Sequence, residues 1–356
     1  MSKEILIVGS VFLFLVLAFL GNYNIQKMHS GGFYRTEEVY ENLGPVIYYK
    51  EGLYATVTVR DLFGQGKGLL INGKGQGSTG IFDLRVNYLL AYVPKLINPK
   101  INNVLIIGLG TGTTSGQISQ YSKSTTVEIE SAVLEASKYF SSYNLDVLNN
   151  KNHTLIIDDG RNWLLKNEEK YDVIIQEPSD PWQSFSTSLY SKEFLELIKE
   201  DLSEDGIYVH WNPIYTMSIE DFKNFYKTFN SVFPHNTAFA NIKLDEDTPV
   251  KFETSELIFV GSKNEIFISE EKFNNNYNNL PEISKRQLDS IRLSSGNEVY
   301  HLLVFTSEQM DGYADDAELI TDDNLLLEFS TAKNVLNQNP KYVINDINNF
   351  VRGKNE

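Results

Sequence analysis

The sequence contains no cysteine. That excludes disulfides, thiolate catalysis and cysteine-ligated metal centres. Histidine is scarce as well. Five occur in 356 residues, and His29, His153, His210, His235 and His301 are scattered, with no pair at metal-ligand spacing. A metal site is therefore not expected. Positive charge is in deficit, with 31 Lys and Arg against 47 Asp and Glu and a formal net charge of −16. Nucleic acid is a poor partner for such a surface, because phosphate binding needs basic patches. A cationic substrate would be attracted instead, although acidity of this kind also serves solubility alone. There is no internal repeat and no long low-complexity tract. The length allows a sizeable core and two domains.

The most informative stretch that is present is VLIIGLGTG, residues 104–112. An apolar β-type run stops at a glycine-rich turn and a helix follows. Glycine tolerates the backbone angles of a tight turn without steric cost. Small residues there also let a nucleoside approach the backbone. Glu128 ends the next apolar segment, about 20 residues on, where an acid accepts hydrogen bonds from ribose hydroxyls. Gly108 and Gly110 fit the dinucleotide fingerprint, but its third glycine position holds Thr113, and Gly112 stands nearer. The resulting G-x-G-x-G resembles the first motif of S-adenosylmethionine-type enzymes. An NAD enzyme with a degenerate third glycine is the competing reading.

Residues 5–21, ILIVGSVFLFLVLAFLG, carry no charge. Membrane spans need about 20 apolar residues, with about 17 at the lower limit, whereas secretory apolar regions run about 7–15. The expectation is an uncleaved single-pass anchor. Lys27 and Arg35 after the run favour a cytoplasmic catalytic domain. Residues 22–40 read as a linker. Three short strand signals punctuated by Gly and Asn follow and suggest a small antiparallel β unit over 41–80. From residue 81 to 262 strands and helices alternate, and the strands are nearly continuous apolar runs. That argues an α/β fold, a Rossmann-like parallel sheet with helices on both faces. Residues 263–356 form a C-terminal extension in which 274–279, rich in asparagine, reads as a loop and 320–329 as an acidic turn leading into an apolar run.

Ligands in such sheets bind at the carboxyl ends of strands. The glycine turn, Glu128, Asp159-Gly160 and the segment 177–180 all fall there. In EPSD, Glu177 and Asp180 flank a proline that stiffens the turn. Two acids over a nucleoside pocket can hold a cationic amine and take its proton. Alone, the pair reads more readily as a turn cap.

From about Tyr54 to Trp211 the chain resembles the spermidine synthase (polyamine aminopropyltransferase) family. NGKGQ at 72–76 is similar to the family's DGxxQ, NNVLIIGLGTGT to its glycine turn, VEIE to VEID, DDGRNW to its Asp-Gly element, and EPSDP to DSSDP. LYSKEFLELIKEDLSEDGIYV continues the match. The resemblance implies Gln76 at the cofactor's tail, Glu128 on the ribose, Asp159 with Gly160 at the adenine, Glu177 as base and Asp180 holding the amine. Trp182 and Tyr190 would wall the acceptor pocket or simply pack. EPSDPW, GST at 77–79, HW-x-x-x-Y-x-M at 210–217, VFPH at 232–235 and TDDN at 321–324 resemble the membrane-anchored or membrane-fused subset.

Two departures bear on substrate. The family's glycine turn carries an aspartate that binds the amine of decarboxylated S-adenosylmethionine, and here Thr111 stands there. The family's Tyr-His-Glu element is missing, with Asn87 and Tyr88 at or near it. The resemblance implies transfer of an aminopropyl group from decarboxylated S-adenosylmethionine to a polyamine, without metal, in a possible homo-oligomer. Thr111 keeps open a methyltransferase using S-adenosylmethionine. A binding module for polyamine or nucleoside, without turnover, is the third reading.

Overall fold

The computed structural model describes residues 44–241, 256–335 and 341–354. Glycine-rich corners fold the first part into a four-stranded antiparallel sheet in sequential order. Its strands are β1 (Val46–Glu51), β2 (Thr56–Asp61), β3 (Lys67–Ile71) and β4 (Lys74–Ser78). Asn72 and Gly73 join the last two at φ 50° and 75°. Both central residues of such a two-residue hairpin need positive φ, which is why Asn-Gly serves. The sequence suggested three strands; the fourth begins directly after this turn.

The main sheet has eight strands, β5 (Asn103–Ile107), β6 (Lys123–Glu128), β7 (His153–Ile157), β8 (Tyr171–Gln176), β9 (Leu202–Pro213), β10 (His235–Ala240), β11 (Glu256–Ser262) and β12 (Leu303–Thr306). They lie in the order β12-β10-β11-β9-β8-β5-β6-β7. Strands β5 to β9 are parallel, and β11, β10 and β12 are added antiparallel. The expected all-parallel sheet is thus a mixed one. A strand buried on both faces is apolar throughout in either direction, so ELIFVG carried no sign of its reversal. The expected domain boundary at 262 also cuts through this sheet, because β12 comes from the C-terminal extension.

Helices α1 (Ile81–Ile97) and α2 (Thr113–Ile118) pack together, and α3 (Ser131–Ser137) packs against β2. On α4 (Gly160–Lys166) packs α5 (Lys192–Asp201), which in turn meets α6 (Ile219–Val232). Ser218 and Asp221 close a reciprocal capping box at the start of α6, and Phe222, Phe225, Tyr226, Phe229 and Val232 form its buried stripe. This i, i+3, i+4 spacing puts all five on one helix face. Helix α7 (Glu270–Asn278) replaces the loop expected at 274–279. Ser269 caps it, and Phe273 and Tyr277, one turn apart, are both buried. The apolar pair overrides the weak helix propensity of asparagine. After the acidic turn at 320–324 comes α8 (Leu326–Lys333).

The two sheets are tied by Glu130. Its Oε2 accepts from the amides of Tyr54 (2.8 Å) and Ala55 (3.3 Å), and its Oε1 from Ala132 at the start of α3 (2.9 Å).

The expected single-pass membrane localisation is corrected. Among the described residues no helix is long and apolar enough to cross a membrane. The run 5–21 and the linker lie outside the described residues.

Candidate active site

The chain leaves β5 towards β6 and β7, then crosses back to place β8 on the other side of β5. Such a switch point opens a crevice beyond the carboxyl ends of the two strands. A cavity of about 480 Å³ lies there, bounded by β3 and β4 on one side and by the strand ends on the other. Gln76, Gly108, Gly110, Glu128, Asp159, Gly160 and Glu177 all line it.

The glycine turn is built as its sequence requires. Gly108, Gly110 and Gly112 have φ of 99°, 53° and 78°. A Cβ on Gly110 would meet nothing within 4 Å, so its bare backbone faces open space, whereas one on Gly108 would come within 3.1 Å of the Glu177 carbonyl. Gly112 does not line the cavity. A Cβ there would press on Asn144 and Val147 at 3.1 and 3.2 Å, so its role is to shape the turn and start α2.

Glu128 is buried at the end of β6. Its Oε2 accepts from the Leu109 amide at 2.8 Å and its Oε1 from the Glu130 amide at 2.9 Å. Burial raises its pKa and these amides oppose the rise. Each oxygen has a lone pair left beyond these bonds. Asp159 caps α4, with Oδ1 accepting from the Asn162 amide at 2.8 Å. Gly160 lets α4 close on Ile107, whose Cγ2 would lie 2.6 Å from a Cβ. The Nε2 of Gln76 is buried and has no hydrogen-bond partner among the described residues. A buried amide donor facing a cavity is a group that a ligand acceptor satisfies.

Glu177 follows β8 directly, and its amide donates to the Ile107 carbonyl at 3.1 Å. Burial pushes its carboxyl up to about 7, against the opposing hydrogen bond of Thr114. An acid poised near neutrality is suited to proton transfer. Thr111 bonds to Thr113 through their hydroxyls at 2.8 Å and contributes no charge to the turn.

Besides Gly112, three expected residues lie off the cavity. Asp180 does not line the cavity and is fully buried. Its Oδ2 lies 2.6 Å from Lys74 Nζ, an ion pair rather than an aligned hydrogen bond. Its Oδ1 accepts from the Tyr215 hydroxyl at 2.6 Å, and Lys74 Nζ donates to that hydroxyl at 3.2 Å. Asp180 therefore holds a residue of its own chain. Tyr190 is buried in the core, edge-on to His210 with centroids 5.0 Å apart, and donates to the Ser179 carbonyl at 3.3 Å. Trp182 also lies off the cavity wall.

Lys74, Asp83, Asn87, Trp211, Tyr215 and Glu256 line the cavity and were not assigned roles from sequence. Trp211 and Tyr215 belong to the HW-x-x-x-Y-x-M segment, which was the available signal. Of the two residues near the missing Tyr-His-Glu element, Asn87 faces the cavity, while Tyr88 is buried and donates to Gln287 at 2.6 Å. Among the described residues no cluster of His, Asp and Glu is placed to hold a metal.

Residues 84–245 match the spermine/spermidine synthase domain. Over these residues the chain is similar to a spermidine synthase domain. It is 34% identical over 194 residues to a polyamine aminopropyltransferase of Saccharolobus solfataricus, an alignment covering 52% of this chain and 63% of that protein. A polyamine aminopropyltransferase of Clostridium botulinum is 31% identical over 156 residues, covering 42% and 55%. The chain thus spans less than two thirds of these relatives. The crystal structure of spermidine synthase from Thermotoga maritima matches with a TM-score of 0.54 at 20% identity, covering 69% of this chain and 88% of that one. A spermidine synthase in complex with the transition-state analogue AdoDATO matches with a TM-score of 0.56 at 21% identity, covering 69% and 88%. At these identities the structures establish the spermidine synthase fold.

Proposed function

We propose that the chain transfers an aminopropyl group from decarboxylated S-adenosylmethionine to a primary amine, with polyamines the acceptor class that the relatives' names bring forward. The observation that carries this reading is Glu177, a part-buried acid at the switch point beside the glycine turn, its carboxyl pushed up to about 7. Glu128 holds the ribose through its spare lone pairs, Asp159 and Gly160 receive the adenine, and Gln76 donates towards the cofactor tail. The bare backbone of Gly110 leaves room for the nucleoside.

The amine nitrogen attacks the aminopropyl carbon bonded to the sulfonium. The carbon–sulfur bond breaks, its electron pair stays on sulfur, and methylthioadenosine leaves. Glu177 accepts the proton that the nitrogen loses. Amines of this kind are protonated near neutral pH, so a positioned acceptor is needed.

Thr111 favours a second reading, methyl transfer from S-adenosylmethionine, since the turn has no carboxylate for the aminopropyl amine. The test is to incubate the protein with each cofactor and a panel of amines and to identify the nucleoside by mass spectrometry. Methylthioadenosine is expected. S-adenosylhomocysteine in its place would establish methyl transfer, and neither product would leave a binding module.

A further inference from the structure

Asp180 is the acid that the family resemblance assigns to the acceptor amine, yet Lys74 already stands on it. Both side chains are buried, with exposures of 3% and 1%, and their charges are 2.6 Å apart. Tyr215 completes the group by donating to Asp180 and accepting from Lys74. Lys74 and Tyr215 line the cavity and Asp180 does not, so the acid lies behind its own ammonium. Lys74 is carried by β4, two residues before Gln76, and its position is fixed by the Asn72-Gly73 turn. A second ammonium brought to Asp180 would meet a like charge in a poorly solvated place, where repulsion is strong.

We infer that Lys74 is a resident ammonium that replaces one amine of the acceptor, so that this cavity takes an acceptor with a single cationic amine, the one that reacts over Glu177, and an uncharged remainder. This rests on the proposed transfer reaction and moves its acceptor from the polyamines that the relatives' names bring forward to monoamines. Asp83 and Glu256 also line the cavity. Glu256 accepts from Asn241 at 3.2 Å, and Asp83, Lys74 and Asp180 all act on its ionisation. Burial raises the Glu256 carboxyl, and Asn241 and Lys74 oppose the rise.

The test compares n-butylamine with 1,4-diaminobutane by calorimetric titration of the full chain saturated with methylthioadenosine. Wild-type protein is expected to bind the two within about threefold of each other. Lys74→Met uncovers Asp180 and should favour the diamine by about tenfold or more. Lys74→Met combined with Asp180→Asn removes both charges, and the ratio should return to the wild-type value. This double variant also guards against a single variant that fails to fold. A wild-type preference for the diamine above about threefold overturns the inference. So does an unchanged ratio in Lys74→Met, or absence of amine binding to the wild type. If Glu256→Gln abolishes a wild-type diamine preference, the distal amine sits on Glu256 instead. Methylthioadenosine formation is read separately. Its absence with the expected ratios ends the transfer reaction and leaves the Lys74 assignment, and its presence with contrary ratios does the reverse.

Discussion

The two halves of the cavity differ in how their acids are used. On the proposed nucleoside side, Glu128 and Asp159 spend their bonds on local backbone amides and still face the cavity. On the proposed acceptor side, Asp180 spends its charge on Lys74, from another sheet, and is withdrawn from the cavity. Acids of the first kind are fixed by their own strand ends and remain available. An acid of the second kind has become part of the framework. A carboxylate in a recognised motif position is thus a ligand group only where no side chain of the chain itself has reached it first.

The comparison breaks most sharply at Glu177, which belongs to neither half. Glu177→Gln should lower turnover by about 10²–10⁴-fold while nucleoside affinity, read by titration, stays unchanged. Turnover of the wild type should rise with pH through about 7 as this carboxyl ionises. The same group costs stability. Its folded pKa of about 7 lies above the ordinary 4.5, so the native state keeps a proton that the unfolded chain has lost, and stability falls as pH rises across that window. Denaturation at pH 8 should find Glu177→Gln more stable than wild type by about 3 kcal/mol, an advantage that vanishes below the lower pKa.

Lys74→Met tests the framework half. Leaving Asp180 buried without its cation should destabilise the protein by about 3–5 kcal/mol in urea, and adding Asp180→Asn should recover much of it. A loss below about 1 kcal/mol would mean that the pair is open to water, as surface pairs are. On the nucleoside side, Glu128→Ala should weaken methylthioadenosine binding by about 1.5–3 kcal/mol, the scale of hydrogen bonds to a charged group. The smallest effect belongs to Arg161 and Asp322, a part-exposed pair joining α4 to the acidic turn before α8. Arg161→Ala should cost about 0–1 kcal/mol of stability. A larger loss in nucleoside affinity than in stability would extend the binding half to this brace.

The nucleoside half was legible in the sequence because its parts are local. A strand, a glycine turn and an acid at the next strand end follow one another along the chain, and each side chain bonds to neighbours within a few residues or to the adjoining strand. The acceptor half was not legible in the same way. Lys74 sits inside the recognised NGKGQ segment, but its partner lies beyond the first four strands of the main sheet, and no spacing encodes that meeting. The choice between Trp211 and Tyr190 as wall or core depends on which side of the sheet each faces. An aromatic residue in an apolar segment reads alike in both cases. The same ambiguity hid the reversal of β11. The asparagine-rich helix α7 was masked by composition, although Phe273 and Tyr277 one turn apart were visible.

Strand β12 carries a practical lesson for anyone trimming this protein. It pairs along β10, whose residues Thr237, Ala238 and Phe239 are buried beneath it. Cutting the chain after Ser262 would strip those main-chain groups of their partners and lay an apolar ribbon open to other copies. The tail is therefore a hem on the fabric, and a version cut after Ser262 should clump more readily than the longer chain.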